Sequence, residues 1–391
     1  MASIDYSPLQ QWLYWPDTIP LDVFYATAGH ISFSGDPLWL IMIGPSGSGK
    51  TELIRSLSDH YRTMNLDNWS PKAFISGYVN GGNVDLLARM NEKLMLVKDL
   101  TGILGSSRDT ARELLDQLRG MYDGYWDRAT GTGSKGYKAK FGLIAGCTPA
   151  LDAFRSISVS LGDRFLRIEW AVEEGEIARK SQEMSGRKDE MRAGITAFST
   201  QIMNDMLERW PDYNNVQLPY LNQLQINQIS WLVSMLRTAV MRDFRDKVLY
   251  MPVPDAGGRV ATNLTELTKS LMCLKQEAIP SDETMQAVVR VGEAMLPLER
   301  RLIMRSLYQG GGWMDMKAIT AASRVSYRMA LTEVDDLWQL GMVAQSGGKP
   351  NLYRISDYLE EMLRISPFPF LLPEQNMVED LASYREQKGL A

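Results

Sequence analysis

Over the first half of the chain, short apolar runs alternate with amphipathic stretches; in the second half the pattern changes to long helical periodicity. Leu38-Trp39-Leu40-Ile41-Met42-Ile43 is uniformly apolar, is broken by a glycine-rich turn from Gly44 to Lys50, and leads into a helical pattern from Thr51 to Tyr61. Further strands are predicted around Lys72–Ile75, at Leu94-Met95-Leu96-Val97 and over Phe141–Ala145, with helical spacing from Arg108 to Tyr122 before the last. Strands this short and this apolar, separated by helices, predict an α/β fold: a parallel sheet covered by helices on both faces. Residues 1–36 place Trp12, Trp15, Phe24 and Tyr25 among turn-formers and predict a short helical collar packed on the adjoining segment of the chain.

From about Glu173 the pattern is all helical, with long helices predicted over Gln182–Arg209 and Ile226–Val248 and a Pro/Gly-rich break at Met251–Gly258. After Pro297 come helices over Pro297–Tyr308, Met316–Ala322 and Ser326–Leu340. A hairpin of Met342–Ser346 and Asn351–Ile355 comes next, turning at Gly347-Gly348-Lys349-Pro350. Three helices and a hairpin spell a winged helix-turn-helix. The pattern therefore divides the chain into a collar (1–36), an α/β core (37–172), an α-helical lid (173–296), a winged helix (297–358) and a tail (359–391).

Composition narrows the classes. At 391 residues the chain exceeds one ordinary domain, and 45% hydrophobic with 23% charged residues excludes disorder as its dominant state. Forty-two Lys and Arg against 47 Asp and Glu leave a net charge of −5, so any nucleic-acid contact must be local. Two cysteines, Cys147 and Cys273, and two histidines, His30 and His60, support neither a disulfide framework nor clustered zinc, as expected of a cytoplasmic chain. Neither a leader pattern nor a run of about 18 apolar residues is present, so a soluble protein with no membrane partner is expected. The 23 methionines and ten tryptophans read as core filler.

The sharpest motif is Gly44-Pro45-Ser46-Gly47-Ser48-Gly49-Lys50-Thr51, which matches G-x-x-x-x-G-K-[ST] between a predicted strand and a predicted helix. Glycines at this spacing let backbone N–H groups curl around a phosphate, Lys50 reaches the β- and γ-oxygens, and Thr51 offers its hydroxyl to Mg²⁺. The motif implies a bound nucleoside triphosphate, ATP being the expected one. Hydrolysis also needs acids at the end of a neighbouring strand. Asp99, after Leu94–Val97, is the candidate, open to metal binding, to polarising water, or to plain helix capping. Lys98 stands where most such enzymes carry a second acid.

Beyond Asp99 the chain runs through a helix, a Gly/Lys-rich hairpin over Tyr125–Lys140, a strand ending Ala145-Gly146-Cys147-Thr148-Pro149, then Ser160-Leu161-Gly162-Asp163-Arg164-Phe165. Over roughly residues 36–300 this order resembles the AAA+ ATPases, in the branch with a hairpin before sensor 1 that includes minichromosome-maintenance-type helicases and phage or mobile-element replication ATPases. The resemblance implies that Thr148 is sensor 1 and that Arg164 is an arginine finger completing a neighbour's ATP site, which requires a homo-oligomeric ring, by resemblance a hexamer. It also implies a sensor 2, for which Arg259 is the candidate and Arg237, Arg242 and Arg245 are alternatives. In such rings the hairpin faces the pore, so Arg128, Lys135, Lys138 and Lys140, interleaved with Tyr125, Trp126 and Tyr137, are candidate DNA contacts. The same residues also suit an ordinary solvated hairpin.

In the winged helix, Arg324 and Arg328 flank the start of the second helix of the pair and Lys349 sits at the wing tip, placing all three as candidate DNA contacts. Glu333, Asp335 and Asp336 make the rest of that helix acidic, which argues against groove reading along its length. A winged helix used for protein contacts is the alternative. Three functions are therefore expected to compete: an ATP-driven DNA motor such as a helicase, translocase or loader working with other replication proteins; an ATP-switched DNA-binding or adaptor protein with slow hydrolysis; and a protein-remodelling or defence ATPase.

Overall fold

The computed structural model describes residues 4–66, 86–104, 108–130, 133–149, 164–170, 173–245 and 247–365. The strand predicted around Lys72–Ile75, the Ser160–Asp163 stretch and the chain after Ile365 lie outside these residues. Two compact units emerge: one comprises the chain up to Arg237 with Pro254–Met295, the other Thr238–Val253 with the chain from Leu296. Among the described residues no helix is long and apolar enough to cross a membrane.

The strands are β1 (Trp39–Ile43), β2 (Thr63–Asn65), β3 (Leu94–Val97), β4 (Tyr125–Thr130), β5 (Gly133–Lys138), β6 (Gly142–Cys147), β7 (Phe165–Glu169), β8 (Val343–Gln345) and β9 (Tyr353–Ile355). Five of them form one parallel sheet in the order β2-β3-β6-β1-β7. β1, β3 and β6 are buried at every position, as expected of strands covered on both faces. Trp39, Ile41 and Ile43 share one core with Met95, Val97, Leu143, Ala145 and Cys147, the period-2 set of a single face. Leu114, Leu118, Met121 and Tyr122 of the Arg108–Tyr122 helix close that face. The Trp39 ring packs against Tyr122, Phe141 and Phe165, and its indole N–H donates to the Phe141 carbonyl at 2.8 Å.

The N-terminal segment packs on the chain that follows it. Its Ile19–Gly29 helix is buried at every residue but the first and packs against the Lys188–Asn214 and Gly258–Lys275 helices. A Cβ on Gly29 would come within 2.5 Å of the Met206 side chain, so glycine permits that close approach. Polar ties seal the layer: Tyr25 Oη to Ser199 Oγ at 2.8 Å, Ser199 Oγ to Ser56 Oγ at 2.7 Å, and Lys275 Nζ to Asp22 at 3.0 Å. His30 and His60 are structural here, meeting Glu266 at 3.3 Å and Asn204 at 3.1 Å.

Several predicted helix limits shift for local reasons. The helix after the glycine-rich turn ends at Arg55 and gives way to turns and β2. The helix expected over Gln182–Arg209 is two, Glu174–Glu183 and Lys188–Asn214, separated where Gly186 takes φ +80°. The helix expected to reach Val248 stops at Arg237, and Arg242 instead bridges to Val248 within the second unit. The start of the expected tail is a helix, Asp357–Ile365.

The second unit holds helices Leu298–Gly310, Met316–Ser323 and Tyr327–Gln339, then the antiparallel β8–β9 hairpin. Its acidic helix has an internal explanation. Arg300, 3% exposed, donates to Glu333 at 2.7 Å and Asp336 at 2.9 Å, and also to the Thr238 carbonyl at 2.6 Å. Arg242 reaches Asp336 at 2.7 Å and also pairs with Asp335. These carboxylates hold the Thr238–Val253 segment in place. Because Glu333 is fully buried, Arg300→Met strands a charge, and the second unit is expected to lose about 3–5 kcal/mol. Urea denaturation of the full chain should show its transition at a lower midpoint; an unmoved midpoint would contradict the assignment.

Candidate functional site

The glycine-rich segment leaves the carboxyl end of β1 and is gripped from both neighbouring strands. Gly44 N–H donates to the Cys147 carbonyl of β6 at 3.1 Å. Trp170, following β7, donates its indole N–H to the Ser48 carbonyl at 2.9 Å and stands edge-on to Trp15 at 5.8 Å. A Cβ on Gly44 would lie 2.7 Å from the Trp170 carbonyl. Gly47 and Gly49 take φ +81° and +89°, values that L side chains resist and that curl successive N–H groups toward a common centre. Glu52, in the first turn of the following helix, is held by Arg192 through two contacts of 3.0 Å.

Lys50 lies at the heart of this loop, 7% exposed. Its ammonium donates to the Gly44 carbonyl at 2.8 Å, the Pro45 carbonyl at 2.7 Å and Ser48 Oγ at 2.9 Å, which uses all three of its protons. Burial lowers its pKa to about 8, while Cys147 and Asp99 act in the opposite direction. The loop opens on a cavity of about 700 Å³, within the range of small-molecule sites. The walls are Ser46–Glu52, Trp12–Tyr14 of the N-terminal segment, the ends of β3 and β6, and side chains between Ile177 and Met191. Lys50, Lys98, Lys180 and Lys188 line it against Glu52 and Asp99, a balance that favours a polyanion.

β6 lies between β1 and β3, so both strand ends beside the loop carry chemistry. Leu100 N–H donates to the Gly146 carbonyl at 2.8 Å, and a Cβ on Gly146 would come within 2.7 Å of the Lys98 carbonyl. Asp99 accepts the Thr101 N–H at 2.8 Å in a capping turn. Thr101 Oγ1 then accepts the Thr148 N–H at 3.0 Å and lies 3.3 Å from Thr148 Oγ1. Thr101 thus ties the two predicted site residues together, and its spacing after Asp99 is a legible Asx-turn signal. Trp170 and Trp12–Tyr14 had no such signal. Thr51 and Asp99, the predicted metal ligands, both line the cavity and are exposed to it. Two hard oxygen donors suit Mg²⁺ that takes its other ligands from phosphate and water; among the described residues no larger His/Cys/Asp/Glu cluster exists.

The predicted arginines stand elsewhere. Arg164 precedes β7 at its amino end, separated from the glycine-rich turn by about 16 Å of strand. It is 11% exposed, lies 5.6 Å over the Tyr122 ring and reaches Asp123 at 3.3 Å. Arg259 approaches the same Asp123 at 3.9 Å and does not line the cavity. Burial, then the proximity of Arg259, lowers the Arg164 pKa, with Asp123 opposing. The alternatives to Arg259 are engaged as well: Arg237 approaches Asp255 at 3.9 Å, Arg242 holds the acidic helix, and Arg245 lies 5.1 Å over Phe244.

Of the candidate nucleic-acid contacts, Arg128 and Lys135 are register partners in the β4–β5 hairpin, as are Tyr125 and Lys138, both exposed. Lys140 lies past the hairpin strands, half-buried, and donates to the Phe33 carbonyl at 3.0 Å, an anchor to the N-terminal segment. Arg324 caps the Met316–Ser323 helix at φ +55°; Arg324, Arg328 and Lys349 are exposed in the second unit.

No protein-family model matches the chain, and no curated protein sequence matches it.

Because burial lowers the Lys50 pKa to about 8 and a bound polyanion would favour its charged form, a triphosphate binding in this cavity would take up a proton above that pH. Affinity is expected to fall about tenfold per pH unit above 8. Lys50→Met should bind weakly with no such slope. Titration calorimetry in buffers of different ionisation enthalpy checks both, and a flat profile for the unaltered protein would refute the assignment.

Proposed function

We propose that this chain is a P-loop ATPase of the AAA+ type that assembles with copies of itself into a ring and acts on DNA. The observation that carries this is spatial. Lys50, Thr51, Asp99 and Thr148 line one polycationic cavity at the carboxyl ends of β1, β3 and β6, whereas Arg164 stands at the amino end of β7. The strand order supports it, since β6 sets Thr148 beside the loop and puts Asp99 one strand further out.

ATP phosphates take over as acceptors for Lys50 from Gly44, Pro45 and Ser48, while the loop amides surround them. Trp12, Leu13, Tyr14 and Ile177 supply an apolar wall for the base. Thr51 and Asp99 would hold a magnesium ion, which would supply positive charge against the phosphates. Thr148 orients the attacking water. A guanidinium from an adjacent copy, Arg164, stabilises charge on the transferring phosphoryl group. Arg259 shares Asp123 with Arg164 and so belongs with the neighbour's nucleotide. Three helices and the β8–β9 hairpin form a winged helix offering Arg324, Arg328 and Lys349 to DNA phosphates, and the β4–β5 hairpin offers Tyr125 and Lys138.

One observation favours the slower, switch-like alternative. Lys98 occupies the position of the second acid, and an Asp99 oxygen is taken by the Thr101 N–H. In that case ATP assembles the protein on DNA, hydrolysis only resets it, and the exposed Tyr327, Leu331 and Trp338 of the Tyr327–Gln339 helix meet a protein partner.

ATP turnover with and without single-stranded and duplex DNA, alongside strand displacement, separates these. Lys50→Ala is expected to abolish turnover. Mixing it with Arg164→Ala subunits should partly restore activity through hybrid interfaces, and Lys138→Ala should keep basal hydrolysis while losing DNA stimulation. Turnover without DNA stimulation at any salt would favour the switch. A protein that stays a lone protomer at saturating nucleotide would sink both.

A further inference from the structure

Asp123 is a carboxylate shared by Arg164 and Arg259, and it sits at the base of the hairpin. Arg164 approaches one of its oxygens at 3.3 Å and Arg259 the other at 3.9 Å. The residue before it, Tyr122, lies under the Arg164 guanidinium and donates to Asn263 at 2.7 Å, which fixes the end of the Arg108–Tyr122 helix against the Gly258–Lys275 helix. The residue after it, Gly124, takes φ +76°, a conformation that L side chains resist, and its N–H donates to the Met121 carbonyl at 3.1 Å. β4 begins at the next residue, and the Gly124 carbonyl accepts the N–H of Ala139, the residue after β5, at 3.1 Å. A change at Asp123 therefore reaches both strands of the hairpin across a single glycine.

We infer that Asp123 is a positioning residue that couples a neighbour's nucleotide to the hairpin. This rests on the trans role of Arg164 proposed above. Arg164 is largely buried, but the carboxylate that it shares is 56% exposed and meets Arg259 only at 3.9 Å, whereas a phosphate offers the same guanidiniums a charge-assisted, bidentate partner. A triphosphate on the adjacent copy outcompetes Asp123. The released carboxylate turns toward solvent, and the shift passes to the hairpin through Gly124, whose carbonyl is bonded to the Ala139 N–H. Loss of the triphosphate restores the latch. Asp123 touches no reacting atom; its effect passes entirely through Arg164 and Arg259.

The test places a fluorophore on the hairpin through Ser134→Cys, the two native cysteines being buried. A non-hydrolysable ATP analogue is added across a range of protein concentrations, with analogue binding and assembly measured in parallel. The expected result is a signal change that appears with assembly, falls at least about fivefold in Asp123→Asn and is largely recovered in Asp123→Glu. Asn is nearly isosteric at an exposed position, and binding and assembly in that variant establish that it is folded. A full-sized signal change in assembled Asp123→Asn would overturn the coupling. So would an assembled, analogue-bound parent protein whose hairpin signal never moves, leaving the trans ATPase intact. A parent protein that binds the analogue and never assembles would instead remove the trans ATPase, and this coupling with it.

Discussion

A nearly buried ammonium has to find acceptors within its own fold, and in this protein Lys50 finds them in the loop that carries it. Gly44, Pro45 and Ser48 satisfy all three of its protons, so the loop closes around a cation as it would close around a phosphate. The surroundings serve that closure. Trp170 holds the Ser48 carbonyl, Cys147 holds the Gly44 amide, and the lack of a side chain at Gly44 lets Trp170 approach the loop closely. The cost appears in Lys50 itself, whose pKa burial lowers to about 8.

A parallel sheet imposes a second constraint. All its strands point the same way, so the residues that follow them gather at one end and the residues that precede them at the other. Lys50, Asp99 and Thr148 follow strands and meet in one cavity; Arg164 precedes one and meets Arg259 and Asp123 at the opposite end. One copy of the chain therefore presents a cavity rich in cations and, at a distance, a pair of guanidiniums held by a single carboxylate. That separation is what a site completed between copies would require.

The acidic helix of the second unit shows how charge misleads when its partners are unknown. Glu333, Asp335 and Asp336 read as a surface that repels nucleic acid, yet two of the three are buried and all three engage Arg242 or Arg300. Neither arginine is near them in sequence. The outward face of that helix instead carries Arg328, Leu331 and Trp338. Lys140 is a comparable case: a hairpin cation by sequence position, it is bonded to the Phe33 carbonyl in the fold.

The residues alone settled the elements whose pattern runs unbroken along the chain. The buried strands β1, β3 and β6 were legible from their unbroken apolar runs, the glycine-rich turn after β1 from its composition, and the three-helix-and-hairpin arrangement from periodicity and turn chemistry. Helix ends set by backbone conformation, such as the break at Gly186, were blurred, and β2 was too short to stand out. Tertiary structure alone decided which strands adjoin, how deeply Ile19–Gly29 is buried, that Trp12–Tyr14 wall the cavity while Trp170 braces the loop, and that Arg164 and Arg259 share Asp123. The physical reason is range. Propensity and periodicity act over a few residues, whereas sheet order and ion pairing join groups about 30 to 280 residues apart through a core that no local pattern encodes.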